Sequence, residues 1–367
     1  MSAPDDVRRP LLLVTNMVPP ARVGAFAALA ARERVCFALY GGRAHHAAAP
    51  VDQDELPFDV VSTSQAGVGR LAASGRFGGV VCGTGGRIAL PATYAGARRA
   101  GVPFALWATL WAQPRSAAGI AGYPALRWVY AHADAVATYG PHVSAYVRAR
   151  GARQVFEAPQ AVDNEFWSGD DARADRRAPF QVVFAGRLER EKGIEVLLEA
   201  WRRLGAQPDT ARLVLAGDGP ARAAAAAVPG TECVGQLTAP ALRDLYAGAD
   251  LLVVPSIPTA TFREPWGLVV NEACCRGLAV VASDAVGAAA GGLVEDGVSG
   301  LVVPAGNAAA LAAALRRLRD DAALRARLAE AARLAVAHYT HAAWAEGILR
   351  AVRAAEERRG RGGVVRK

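Results

Sequence analysis

The chain has 367 residues, 52% hydrophobic and 21% charged, with a formal net charge of +8. This length exceeds what one hydrophobic core usually organises, so two domains are expected, and the composition excludes a disordered chain. No apolar run reaches 18 residues, which excludes an ordinary membrane-spanning helix.

Arg8 and Arg9 precede a short apolar run that Thr15 and Asn16 end too early for a secretory signal, so a buried first strand is expected there. The five cysteines are odd in number and show no CxxC spacing. Buried reduced thiols in a cytoplasmic protein are expected, rather than a disulfide framework or a cysteine zinc site. His338 and His341 form an HxxH pair without a third ligand, and no metal or cofactor is expected. A basic balance suits anionic partners. Almost all of the basic residues are arginine, and Lys192 is the sole internal lysine, which singles it out for chemistry.

In chain order, residues 10–16, 34–42, 78–85, 102–111 and 133–140 read as buried strands, with helical spacing in the Ala- and Arg-rich stretches between them. Strand–helix alternation specifies a parallel sheet covered on both faces. Asp52 and Asp54 form an Asp-x-Asp that reads as a solvated turn. A polar stretch at 163–180 reads as an interdomain linker. The alternation then restarts, with strands at 180–186, 211–219, 231–237, 249–256, 278–284 and 299–306 and helices at 194–204 and 239–249. Two doubly wound α/β domains follow, with ligand expected at the carboxyl ends of the strands, in a cleft between the domains.

Three stretches carry chemistry. In "AGRLEREKG" a strand ends in a loop holding Arg187 and Lys192, with Gly186 and Gly193 at its borders. Two cations there can clamp a diphosphate, or can pair with Glu189 and Glu191 on a solvated loop. The glycine-rich turns at 82–87 and 217–219 suit close approach to a ligand, and equally a tight turn. In "EPWGLVVNEACCRG", Glu264 precedes a short apolar helix with Pro265 at its first position, and Glu272 lies two turns in. The N–H groups of Trp266, Gly267 and Leu268 would favour negative charge, while the two carboxylates would accept from hydroxyls. That combination suits a sugar nucleotide. The alternative is that Glu264 caps the helix and Glu272 pairs with an arginine.

Taken in order, "AGRLEREKG", "LAGDGP", "ADLLVVPS" and "EPWGLVVNEA" resemble the C-terminal half of retaining glycosyltransferases of the two-domain GT-B architecture, most closely the family-four enzymes. The resemblance is strong over residues 180–305. It rests on two glutamates separated by seven residues, Glu264 and Glu272, and on the cationic pair Arg187 and Lys192. It implies an N-terminal acceptor-binding Rossmann-like domain over 1–170, a nucleotide-sugar-binding one over 171–339, and a helix over 340–367 that packs back on the first domain. It implies Arg187, Lys192 and Glu264 as catalytic residues. Gly186, Gly235, Leu237, Trp266, Gly267, Leu268, Val269 and Glu272 would line the donor. On the acceptor side it points to Asn16, Arg22, Gly24, Thr84, Trp107, Thr109 and His142. The family's usual histidine on the fourth N-terminal strand is absent, with Thr109 near its place, and Gly291 and Gly292 replace its usual acidic residue.

The expected function is transfer of a sugar, with retention at the anomeric carbon and without a metal, from a nucleotide-diphosphate sugar to an acceptor hydroxyl. A sugar-nucleotide epimerase of the same architecture is the alternative. A nucleic-acid binder is disfavoured because the arginines are scattered along helices and many stand beside Asp or Glu. The basic tail at 356–367 reads as a frayed terminus, with weak peripheral contact to the inner face of a membrane as its other use.

Overall fold

Apolar runs closed by polar or glycine-rich turns become the strands of two parallel sheets in a computed structural model that describes residues 9–41, 51–169, 179–205 and 209–364. The chain divides into two compact units, one comprising 1–159 with 341–367, the other 160–340.

The first unit holds β1 (Leu11–Thr15), β2 (Val35–Leu39), β3 (Val60–Ser62), β4 (Gly79–Gly83), β5 (Phe104–Ala108), β6 (Ala135–Thr138) and β7 (Val155–Glu157). They lie in the order β3-β2-β1-β4-β5-β6-β7, every pair parallel. Strands β3 and β7 are absent from the sequence expectations. Both are three residues long and half-exposed or exposed, so neither carries the long apolar run that marks a central strand.

The second unit holds β8 (Phe180–Ala185), β9 (Ala211–Ala216), β10 (Thr231–Gly235), β11 (Leu251–Val254), β12 (Ala279–Ser283) and β13 (Leu301–Val303), ordered β10-β9-β8-β11-β12-β13. In both sheets the strand order reverses beside the first strand, which creates a crevice at the carboxyl ends of β1 and β4 in one and of β8 and β11 in the other. The helix Ile194–Leu204 shows how the layers lock. Its Ile194, Leu197, Leu198, Trp201 and Leu204 are buried at helical spacing against Phe180, Val182 and Leu213 of the sheet.

Two expectations about boundaries change. The stretch 163–180 does not begin as a linker, because Asp163 accepts from the Phe166 N–H at 3.0 Å and caps a short helix, Asn164–Ser168, that belongs to the second unit. The division therefore falls between Pro159 and Gln160 rather than at 170, and residues 170–178 lie outside the described residues. Two helices follow the last strand, Ala308–Asp320 and Ala322–Val336, divided where Asp321 caps the second through the Leu324 N–H.

The C-terminal helix, His341–Val364, is part of the first unit. Trp344 is fully buried, with its ring 5.5 Å from Phe26 and 5.4 Å from Trp107. Arg358 donates to the Ala133 carbonyl at 3.0 Å, and Arg359 meets the Asp134 carboxylate at 3.2 Å, where Arg98 also binds. The first arginines of the basic tail are thus docked, and residues 365–367 lie outside the described residues. The Asp-x-Asp is an exposed turn in which Asp52 accepts from the Asp54 N–H.

Candidate functional site

Two loops of the second unit converge at the switch point of its sheet. The loop after β8 runs through Gly186, Arg187 and the buried Leu188 into a turn, Arg190–Lys192, and Gly193 then starts the Ile194–Leu204 helix. Gly193 has φ +72°, and a Cβ there would lie 1.9 Å from the Pro255 carbonyl oxygen, just beyond β11. Only a bare Cα permits that approach. The Ile257 N–H donates to the Glu191 carbonyl at 3.0 Å and fastens the same two loops. Lys192 Nζ consequently reaches Glu264 Oε2 at 2.5 Å, and Ser256 Oγ donates to the same oxygen at 3.1 Å. The ammonium also stands 5.0 Å from the Phe262 ring centroid. Only 20% of the lysine side chain and 9% of the glutamate side chain is exposed. A carboxylate this buried requires a cation and hydrogen bonds, and it has both.

Glu264 is fixed from behind. Its backbone bridges Val286, and its carbonyl accepts from the Gly287 N–H at 3.1 Å. Trp266 is buried and its indole N–H donates to Asn271 Oδ1 at 2.7 Å, while Asn271 Nδ2 donates to the Gln160 carbonyl at 3.0 Å. A Cβ at Gly291 would come within 2.5 Å of the Trp266 ring. The glycine that stands there leaves room for the indole.

The helix begins at Leu268, with Gly267 (φ +92°) as its N-cap. This corrects the expectation that Pro265 occupies the first helical position, and Glu264 is not the cap. The first-turn N–H groups of Leu268 and Val269 have no partners within the helix and supply the positive end of its dipole. Glu272, one turn further, is not paired with an arginine. It accepts from the Tyr246 hydroxyl at 3.4 Å, and Arg276 turns instead to the Ser168 carbonyl at 2.6 Å. Burial pushes the Glu272 carboxyl up to about 7, against which the Tyr246 hydrogen bond works. The Tyr246 hydroxyl is raised well above its ordinary value, first by burial and then by the Glu272 charge.

Arg187 takes the alternative left open for it. Its guanidinium pairs with Glu189 and, at 2.7 Å, with Glu191. Lys192 does not share those partners. Gly186 lies behind the loop, where a Cβ on Gly217 would fall 1.9 Å from its carbonyl oxygen. Gly235 ends β10 and accepts from the Gly217 N–H at 2.7 Å, with Leu237 half-buried just beyond. Two concavities of about 570 Å³ lie in the first unit, and neither is lined by Lys192, Glu264 or Glu272.

In the first unit the acceptor-side candidates fall into separate groups. Thr84 and Thr109 share a hydrogen bond of 3.3 Å beyond β4 and β5. Arg22 is buried, donates to the Tyr139 hydroxyl at 2.9 Å and stacks 5.2 Å from the Trp107 ring. His142 meets Trp111 edge-on at 5.0 Å. Asn16 lines a concavity of about 570 Å³ with Tyr40 and Thr63. Gly24 has a packing role, since a Cβ there would lie 2.2 Å from the His341 ring of the C-terminal helix.

Sequence reasoning missed Ser256, Phe262, Tyr246 and Asn271. Asn271 had a signal, as the one uncharged polar side chain in an otherwise apolar helix. Tyr246 had none, because it reaches Glu272 from a helix 26 residues away.

Residues 179–321 match the family model described as Glycosyl transferases group 1. The match lies wholly within the second unit. Alpha-D-kanosaminyltransferase of Streptomyces kanamyceticus is 34% identical over 167 residues, 43% of this chain and 42% of that protein. D-inositol 3-phosphate glycosyltransferase of Stackebrandtia nassauensis is 35% identical over 231 residues, 56% of this chain and 50% of that protein. The chain thus spans half or less of the length of these curated relatives. Among solved structures, HepE of Anabaena in complex with UDP and glucose superposes with a TM-score of 0.73 at 17% identity, covering 93% of this chain and 98% of that one. Sucrose-phosphate synthase of Thermosynechococcus elongatus does so with 0.70 at 21% identity, over 94% and 98%. The chain has the GT-B fold, and its likeness to the group 1 family lies in the C-terminal half.

Proposed function

We propose that this chain is a metal-independent, retaining glycosyltransferase that moves a sugar from a nucleotide-diphosphate donor to an acceptor hydroxyl. One observation carries the reading: Lys192 and Glu264, from loops after two different strands, meet at the switch point of the second unit, beside the amino end of the helix that bears Glu272. The match to the group 1 family and the UDP-glucose bound by HepE, a protein of the same fold, support it.

In this reading the donor diphosphate exchanges places with the carboxylates that hold the cations. Lys192 turns from Glu264 to a phosphate oxygen, and Arg187 turns from Glu189 and Glu191. Negative charge grows on the leaving diphosphate as the glycosidic bond breaks, and two cations with a helix amino end stabilise it with little reorganisation. Glu264, released from Lys192, accepts from donor-sugar hydroxyls, and Glu272 accepts from the ribose diol. A phosphate oxygen takes the acceptor's proton on the face the leaving group vacates, which accounts for retention. Arg187 and Lys192 supply the positive charge that a metal ion supplies elsewhere.

Calorimetric titration with UDP-, GDP- and dTDP-sugars tests the proposal. Heat of binding with one of them, lost in Lys192→Ala and in Glu272→Ala while both remain folded, is the expected result. Undiminished turnover in either variant would overturn it.

A further inference from the structure

The helix Ala117–His132 of the first unit buries Val129 and Tyr130 and carries a second apolar face outward. Its outward stripe consists of Ala117, Ile120, Ala121, Pro124, Ala125 and Trp128, at spacings of three and four, and all six are exposed. Ile120 is 62% exposed and Trp128 50%, which makes them two of the most exposed large apolar side chains in the described residues. A helix at a water-facing surface normally shows its charged face outward. This one carries no Asp or Glu at all.

The Trp128 ring is held in place rather than loose. It stacks on His132 at 4.4 Å and meets Tyr94 edge-on at 5.0 Å. With Tyr123, Pro124, Arg127, His132 and Arg150 it lines a shallow concavity of about 570 Å³. Arg115 and Arg127 are exposed and have no carboxylate partner among the described residues. The sequence on either side of the helix is as one-sided. Between Val60 and Phe156 the sequence has ten arginines and a single carboxylate, Asp134. That carboxylate is buried and bound by Arg98 and Arg359.

The geometry points to a docking surface for an anionic lipid bilayer, with Ile120, Pro124 and Trp128 entering the headgroup–acyl boundary and Arg115 and Arg127 meeting lipid phosphates. An aromatic ring at headgroup depth, an apolar stripe and a cationic margin without carboxylates are what such a surface requires. A second copy of the chain is a poorer occupant, since two such faces would oppose arginine to arginine. No helix among the described residues is long and apolar enough to cross a membrane, so the contact is peripheral. This inference does not depend on the glycosyl-transfer reading.

Co-sedimentation of the full chain with vesicles tests it. Binding is expected to phosphatidylcholine vesicles containing phosphatidylglycerol, to fall steeply in high salt, and to be lost on phosphatidylcholine alone. Arg115→Gln/Arg127→Gln is expected to weaken binding roughly twentyfold or more, about fivefold for each arginine at an anionic surface. Ile120→Gln/Trp128→Gln is expected to lose it, with thermal melting as the check of folding. If either variant melts early, the contrast between the two vesicle compositions and the salt dependence decide alone. Absence of binding to both compositions, equal binding to both, or binding untouched in folded variants would overturn the proposal. So would a lipid-free dimer that Ile120→Gln/Trp128→Gln dissociates, which would make the face a contact between copies.

Discussion

Lys192 Nζ stands 2.5 Å from Glu264 Oε2, although 72 residues separate them and each follows a different strand of one sheet. Removing one partner of a largely buried pair strands the other charge. Lys192→Met alone is expected to cost about 2 kcal/mol, below the fully buried figure because the lysine retains some exposure. Lys192→Met/Glu264→Gln should recover more than half of that loss without restoring donor binding. Urea unfolding of the two single variants and the double variant measures the coupling, and calorimetry follows the donor. A double variant as unstable as the sum of the singles would show that the pair contributes nothing.

Glu272 gives the protein a pH dependence of known sign. Its folded carboxyl titrates at about 7, above the ordinary 4.5, so the folded state holds this proton more tightly than the unfolded chain. Its contribution is complete below the unfolded value, fades as pH rises between the two, and is gone above the folded one. Glu272→Gln is therefore expected to stabilise the unliganded protein by up to about 3 kcal/mol near pH 8 and to change little near pH 4. Paired urea titrations at the two pH values check this. Ribose hydroxyls that donate to the ionised carboxylate would make donor affinity rise through neutrality, a trend that Glu272→Gln should flatten.

Gly193 and Gly292 separate two costs of a side chain. Both have positive φ, but a Cβ on Gly193 would meet the Pro255 carbonyl at 1.9 Å, whereas Gly292 faces open space. Gly292→Ala is expected to cost about 1 kcal/mol, from backbone strain alone. Gly193→Ala adds a collision with backbone, for a total of about 3 kcal/mol, and it carries Lys192 away from Glu264. Melting temperatures rank the two, and donor titration should show a defect only in Gly193→Ala.

Asn271 joins the indole of Trp266 to the carbonyl of Gln160 from a fully buried position. Asn271→Leu keeps the branched outline of the side chain and loses both hydrogen bonds. It is expected to cost about 2–4 kcal/mol by denaturant unfolding, because buried polar groups lose their partners together. A loss under 1 kcal/mol would mean that the pair is replaceable.

Much of the fold was legible because parallel strands buried on both faces are written as unbroken apolar runs. Val182, Leu213, Leu252 and Val280 announce their strands locally, whereas the short edge strand at Val60 does not. The two loops that meet at the switch point were legible too, since Lys192 and Glu264 sit in compact motifs with fixed spacing. What each cation touches was not. Arg187 resting on Glu189 and Glu191 and Lys192 on Glu264 are outcomes of loop geometry, set by Gly193 against Pro255 and not by spacing along the chain. The same holds for Tyr246 at Glu272. Trp128 illustrates the converse, for its helix has an apolar pattern that reads as core until the packing shows which side faces out.

The Trp344 helix has a consequence for biosynthesis. The second unit is one continuous segment, whereas the first is assembled from residues on both sides of it. A nascent chain therefore lacks the cover of Trp344 over Phe26 and Trp107 until the His341–Val364 helix leaves the ribosome. The unit begun first is closed last, so a chain stopped at Thr340 would leave Phe26 and Trp107 uncovered.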